Sequence, residues 1–202
     1  MAGHLGVQSV VAAIILAGLS HPVVGEEAGR PTIVVAVFDH AGIPADTLAQ
    51  AKTDVSRIYG DVGVDVLWTD AAASDAHGRF VSRLIVREQA ARPRMMGNAL
   101  GDARNSSGTA VVYRDRVVDV ARSRSVDVPR LLAYAMAHEM AHLLLPYPSH
   151  AATGIMHADW SGEEFRDIAA GLLRFAPTQA SAIRAKAGES GAIAMGADDS
   201  KN

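Results

Sequence analysis

Two histidines and a glutamate within five residues, His138-Glu139-Met140-Ala141-His142, are the densest chemical signal in this chain. In a helix, positions four apart lie on one face about one turn from each other, so the two imidazoles can converge on one metal ion. Glu139 can reach a water on that metal and take its proton. Two nitrogen ligands, an open position and a carboxylate base are what hydrolytic zinc sites use. The flanks predict a buried helix: Ala133, Ala135, Ala137 and Ala141 are strong helix formers, and Leu131, Leu132, Leu143 and Leu144 supply apolar faces. Charge in such a helix is costly unless it has a partner or a task.

Two histidines do not complete a zinc site, and a third protein ligand is needed. The chain has no cysteine, so that ligand must be His, Asp or Glu. His150 is the first candidate, eight residues after His142 and beyond the helix break at Pro146. His157 and Asp159 follow in the same loop, and Glu163 and Glu164 open the next helix. Glu164 also has a structural task. Ser161-Gly162-Glu163-Glu164 forms a capping box with Ser161 as N-cap, and Glu163 suits the positive end of that helix.

The elements that position these residues follow from periodicity. Thr32 to Phe38 is a nearly continuous β-branched run, read as a buried central strand. Pro44 opens an amphipathic helix over Ala45 to Tyr59, with Gly60 expected to close it. Val64 to Trp68 is a second strand, giving a β–α–β opening with parallel strands. Arg79 to Arg87 predicts a third strand, Pro93 to Gly108 a long loop bordering a cleft, and Thr109 to Tyr113 a fourth strand. Val117 to Ala121 continues as strand or helix start. Pro129 sits in the first turn of the histidine-bearing helix, which stops at Pro146. Phe165, Ile168, Ala169, Leu172 and Leu173 give the next helix its apolar face, and Pro177 to Lys186 is a short last helix. Met156, Trp160, Tyr113 and Tyr147 are expected mainly to pack.

With 202 residues and a net charge of −3, the chain suits one domain with a sizeable core and no nucleic-acid partner. Val7 to Leu19 is an apolar run too short to span a membrane, followed by Val23 and Gly25, small enough for a cleavage site. The expected division is a signal peptide over 1–25, a zinc-hydrolase domain over 26–187 and a disordered tail over 188–202. The protein is accordingly expected outside the cytoplasm, secreted or periplasmic, without stable membrane association once the signal is removed.

The motif, the downstream His150 and Gly154-Ile155-Met156 together resemble the metzincin clan of zinc metallopeptidases. Within it they are most similar to a group of small bacterial secreted proteins. The resemblance spans roughly Thr32 to Arg174. It implies an α/β (α+β) fold: a twisted mixed sheet with the β–α–β opening, an active-site helix, and a small helical C-terminal part. It also implies Zn2+ held by His138, His142 and His150, Met156 in a turn beneath the metal, and Glu139 as general base. Peptide substrate would lie along an edge strand, with Thr109 to Tyr113 the candidate. The chain departs from the clan in having Leu145 where a glycine turns the chain, and Pro148 where the third histidine stands, so His150 comes two residues late. The thermolysin-like group offers another pattern, with a glutamate about twenty residues after the second histidine, where Glu163 and Glu164 lie. The expected activity is an exported zinc-dependent peptidase. A metal-binding protein without turnover and a zinc hydrolase of non-peptide amides or esters are the other readings.

Overall fold

The computed structural model of the chain describes residues 29–69, 80–88 and 99–196. The expected signal peptide lies outside the described residues, as do residues 93–98 of the expected loop and 197–202 of the expected tail.

The β-branched run forms β1 (Thr32–Asp39), and Ile33 to Ala36 are buried without a break. Side chains on both faces of a strand are covered only when the strand is internal, and β1 is internal. It pairs in parallel with β2 (Asp65–Thr69) on one side and β3 (Phe80–Arg87) on the other. Between β1 and β2 runs α1 (Ala45–Asp61), with Ala51, Val55, Ile58 and Tyr59 buried at helical spacing. Gly60 stays within this helix. The chain turns instead at Gly63, whose φ of +79° favours glycine.

The expected long loop is partly a strand. Gly101–Arg104 forms β4, which pairs antiparallel with β5 (Thr109–Tyr113) across one turn of 3₁₀ helix. The Gly-Asp-Ala-Arg sequence of β4 has no hydrophobic alternation, which hid this hairpin from a reading by hydrophobic period. The sheet order is β2-β1-β3-β5-β4, with β5 parallel to β3. The mixed sheet and its helices match the expected fold class. One assignment is corrected: Thr109 to Tyr113 lies between β3 and β4, so the edge strand at this side is β4.

Residues alternate across β5. Ala110 and Val112 join the main core, while Val111 and Tyr113 form a small cluster on the opposite side. Helix α2 (Arg114–Arg124) follows directly, so Val117 to Ala121 is helix. Helix α3 (Val128–Leu144) carries the histidine motif, and every residue from Leu131 to Ala141 is buried. It packs against α1, α2, β4 and β5, the surroundings that an all-round apolar helix requires. The wholly buried Tyr59 donates its hydroxyl to Ala137 O at 3.0 Å, fixing α3 one residue before His138. Helix α4 (Gly162–Ala170) buries Phe165 and Ile168, but it ends at Gly171, so Leu172 is 60% exposed and off its apolar face. Helix α5 (Pro177–Gly196) runs well past Lys186, so the part of the expected tail from Gly188 to Gly196 is helical.

Candidate metal centre

His138 and His142 project from successive turns of α3, and their Nε2 atoms lie 3.0 Å apart. The chain leaves α3 at Leu145 and reverses through Pro146 to Ser149, with a cis Tyr147-Pro148 peptide. This reversal delivers His150, whose ring centroid is 4.8 Å from that of His142 and 5.4 Å from that of His138. One ring nitrogen from each of the three lies within 4.8 Å of the others. Among the described residues this is the one cluster of three metal-ligating side chains. The two extra residues before His150 are accommodated in the reversal. Gln179 Nε2 donates to Ser149 O from α5 at 3.1 Å, and Ala151 N donates to Met156 O.

Outer hydrogen bonds hold both helical histidines, and for His138 the partner fixes which nitrogen it offers. His138 Nδ1 lies 2.7 Å from Ile155 O, a carbonyl that can only accept, so Nδ1 carries the proton and Nε2 keeps its lone pair. His142 Nδ1 lies 2.6 Å from Ser149 Oγ, a hydroxyl that can accept from Nδ1–H and so leave Nε2 to a metal. The two Nε2 atoms, 3.0 Å apart, are close enough for one ion to take both as ligands. A zinc ion bonded at ~2.0–2.1 Å spans such a gap. With His150 as third nitrogen donor and cysteine absent, the donor set fits Zn2+.

The turn that supplies Ile155 O depends on Gly154. Its φ is +81°, and a Cβ there would come 2.6 Å from Arg174 O. Ile155 and Met156 behind it are fully buried in the main core. Trp160 Nε1 donates to the same Ile155 O at 3.2 Å and stands edge-on to His138. Trp160 thus does more than pack.

Glu139 is 6% exposed and faces β4. Gly101 makes room for it. A Cβ there would come 2.6 Å from Glu139 Cγ and would also strike Val111 O. Burial, with the Asp102 charge adding to it, pushes the Glu139 carboxyl up to about 8. Burial likewise pushes the His138 imidazole down to about 4; the Ile155 carbonyl opposes this and His150 adds to it. Burial and then the neighbouring His138 and His150 hold His142 at about 4. All these groups line one cleft of about 740 Å³, with Asp102, Trp160 and the 93% exposed Tyr147.

The other candidates for a third ligand lie outside the cluster. His157 Nδ1 is 2.7 Å from Glu164 Oε1, and the other oxygen of Glu164 accepts from Ser161 N and Ser161 Oγ in the expected capping box. Glu163 is exposed in the first turn of α4, and Asp159 is exposed on the cleft. Sequence reading missed Ile155 O, Ser149, Gly101 and Asp102. A backbone carbonyl leaves no trace in residue type, and Gly101 and Asp102 fell within a segment read as loop.

Two expectations arise here. Gly101→Ala should destabilise the fold by about 1–3 kcal/mol, since the struck backbone oxygen cannot yield, and should displace Glu139. Denaturant unfolding and a structure of the variant check both. Stability of the metal-free protein should peak near pH 6.5. Between about 4 and 6.5 the unfolded chain binds protons that buried His138 and half-buried His142 refuse, so stability rises with pH. Between about 4.5 and 8 folded Glu139 keeps a proton that the unfolded chain has lost, so stability falls as pH rises. Two histidines outweigh one glutamate below 6.5, and above it the glutamate acts alone. Thermal melts across pH 4–9 in chelator would show this, and no decline from 6.5 to 8 would contradict the raised Glu139.

The sequence matches no family model and no curated protein. Solved structures do resemble the chain. One is a zinc-dependent peptidase from Methanocorpusculum labreanum, with a TM-score of 0.54 and 14% identity over 74% of this chain and 99% of that one. Another is an archaemetzincin from Methanopyrus kandleri, at 0.48 and 16% over 79% and 97%. A third is an archaemetzincin from Archaeoglobus fulgidus complexed with malonate, at 0.45 and 14% over 75% and 99%. The first likeness shows a shared fold.

Proposed function

We propose that the chain is an exported zinc-dependent peptidase with His138, His142 and His150 as zinc ligands and Glu139 as general base. One observation carries the reading. Three ring nitrogens converge on one cleft beside a buried carboxylate that has no role in the cluster itself. A purely structural metal site has no use for that base. The peptidase activity of the Methanocorpusculum labreanum protein, which shares the fold over nearly its whole length, is consistent with this reading.

When bound, zinc supplies a Lewis acid that polarises a carbonyl and acidifies a water. Glu139 accepts a proton from the attacking water and returns it to the leaving amine. A nearby cation draws its carboxyl back toward the ionised form that a base requires. Ile155 O and Ser149 hold the imidazoles so that they need not reorient. Edge strand β4, with Gly101, Asp102 and Ala103 on the cleft, offers backbone for an extended peptide to pair with. Export rests on Val7 to Leu19 and the small residues at Val23 and Gly25; N-terminal sequencing of protein recovered outside the cytoplasm should begin near Glu26.

The mature chain should bind about one zinc per molecule, lose cleavage of a peptide library when a chelator removes the metal, and regain it with added zinc. Chelator-insensitive cleavage would sink the mechanism. Stoichiometric zinc without turnover on any peptide would favour a binding protein or a hydrolase of other acyl bonds.

A further inference from the structure

An aromatic wall leads away from the histidine cluster to an exposed cation. Trp160 stands edge-on to His138 with ring centroids 5.8 Å apart, and Phe165 stands edge-on to Trp160 at 6.3 Å. The Arg124 guanidinium carbon lies 5.0 Å from the centre of the Phe165 ring. All four residues line the same cleft. Phe165 is 8% exposed and anchored at the start of α4, so it forms a stable seat. At an exposed site such a contact is worth about 0.5–1 kcal/mol, enough to bias the guanidinium toward the ring and the cleft.

Arg124 makes no ion pair with any carboxylate among the described residues. Its neighbour Arg122, on the same last turn of α2, pairs with Asp119 at 3.6 Å. Either arginine would complement the negative end of that helix. That task gives no reason for Arg124 to lie on Phe165 in the cleft. Two acids of the cleft, Glu139 and Asp102, are at the β4 side, where Asp102 acts on Glu139 and Tyr113. Asp159 also lines the cleft and leaves Arg124 unpaired.

Resting on the peptidase reading, we propose that Arg124 is a specificity residue. The peptides this site takes carry a carboxylate a short distance from the cleaved bond, and Arg124 binds it. The carboxylate comes from an acidic side chain or a free C-terminus. The path from His138 by way of Trp160 and Phe165 to Arg124 is no longer than about five residues of extended peptide at ~3.4 Å each. Guanidinium suits this partner because its fork matches the two carboxylate oxygens.

The test compares zinc-loaded wild type, Arg124→Lys, Arg124→Gln and Arg124→Glu on matched peptides. One series exchanges Glu for Gln at each position within five residues of the cleaved bond, and the other exchanges a free C-terminus for an amide. Wild type should favour the carboxylate member of one series by about tenfold in kcat/KM, less at high salt. The series that responds identifies the source of the carboxylate. Arg124→Gln should erase the preference while leaving the uncharged peptide within about twofold, Arg124→Lys should keep part of it, and Arg124→Glu should turn it toward lysine peptides. Equal rates on both members of every pair in wild type would overturn the proposal. Fluorescence anisotropy of the same peptides on zinc-loaded Glu139→Gln, with and without Arg124→Gln, judges Arg124 without turnover. A carboxylate advantage in binding that depends on Arg124 supports the anchor even if no peptide is cleaved, in which case only the peptidase reading fails. No advantage in binding rejects it.

Discussion

Glu139→Gln is expected to leave zinc bound and to lower hydrolysis by roughly 10²-fold or more. The exchange keeps size and polarity, so the space that Gly101 leaves between β4 and α3 still fits the side chain. The histidines keep their places, because their rings are held by Ile155 O and Ser149 Oγ and not by Glu139. What disappears is the ability to take and return a proton at neutral pH. The metal-free variant should also lose the decline in stability between pH 6.5 and 8, since the group raised to about 8 is gone. Metal analysis, kinetics and melts on one preparation check all three. Unchanged turnover with full zinc would remove Glu139 from the mechanism.

His150→Ala is expected to cost more zinc affinity than the roughly 10–100-fold typical of losing an outer hydrogen bond. It removes one of three donors, and the remaining His138 and His142 cannot complete a site. Because His150 is exposed at the cleft mouth, the substitution leaves no buried cavity and should barely move the melting temperature of the metal-free protein. The control is Glu163→Ala with Glu164→Ala. Zinc should stay bound in both, and Glu164→Ala should lose about 1 kcal/mol of stability through the helix cap. Competition with a chromogenic chelator measures the affinities. Zinc that survives His150→Ala but leaves with Glu163 or Glu164 would place the chain in the thermolysin-like pattern.

The β–α–β opening and the buried helix were legible because continuous β-branched runs and an apolar helical face fix strand and helix by burial alone. The placement of His138, Glu139 and His142 followed from helical period. The position of His150 was less direct, since it depends on a reversal of chain that spacing does not encode. β4 was hidden because its four residues, Gly101 to Arg104, have no hydrophobic alternation and are held by pairing with β5. The end of α5 was misplaced for a different reason. Gly188 and Gly191 are poor helix formers, and the helix runs through both.

The double attachment of Glu164 has a consequence for motion. One of its oxygens holds the start of α4 at Ser161 and the other holds His157 on the cleft wall, while Phe165, the next residue, seats Arg124. The cleft wall and the first turn of α4 are thus tied through one side chain, and fraying of that turn should loosen the wall beside it. Amide hydrogen exchange at the end of that first turn, where Phe165 N bonds Ser161 O, would then report the opening of the cleft, and a bound peptide should slow it.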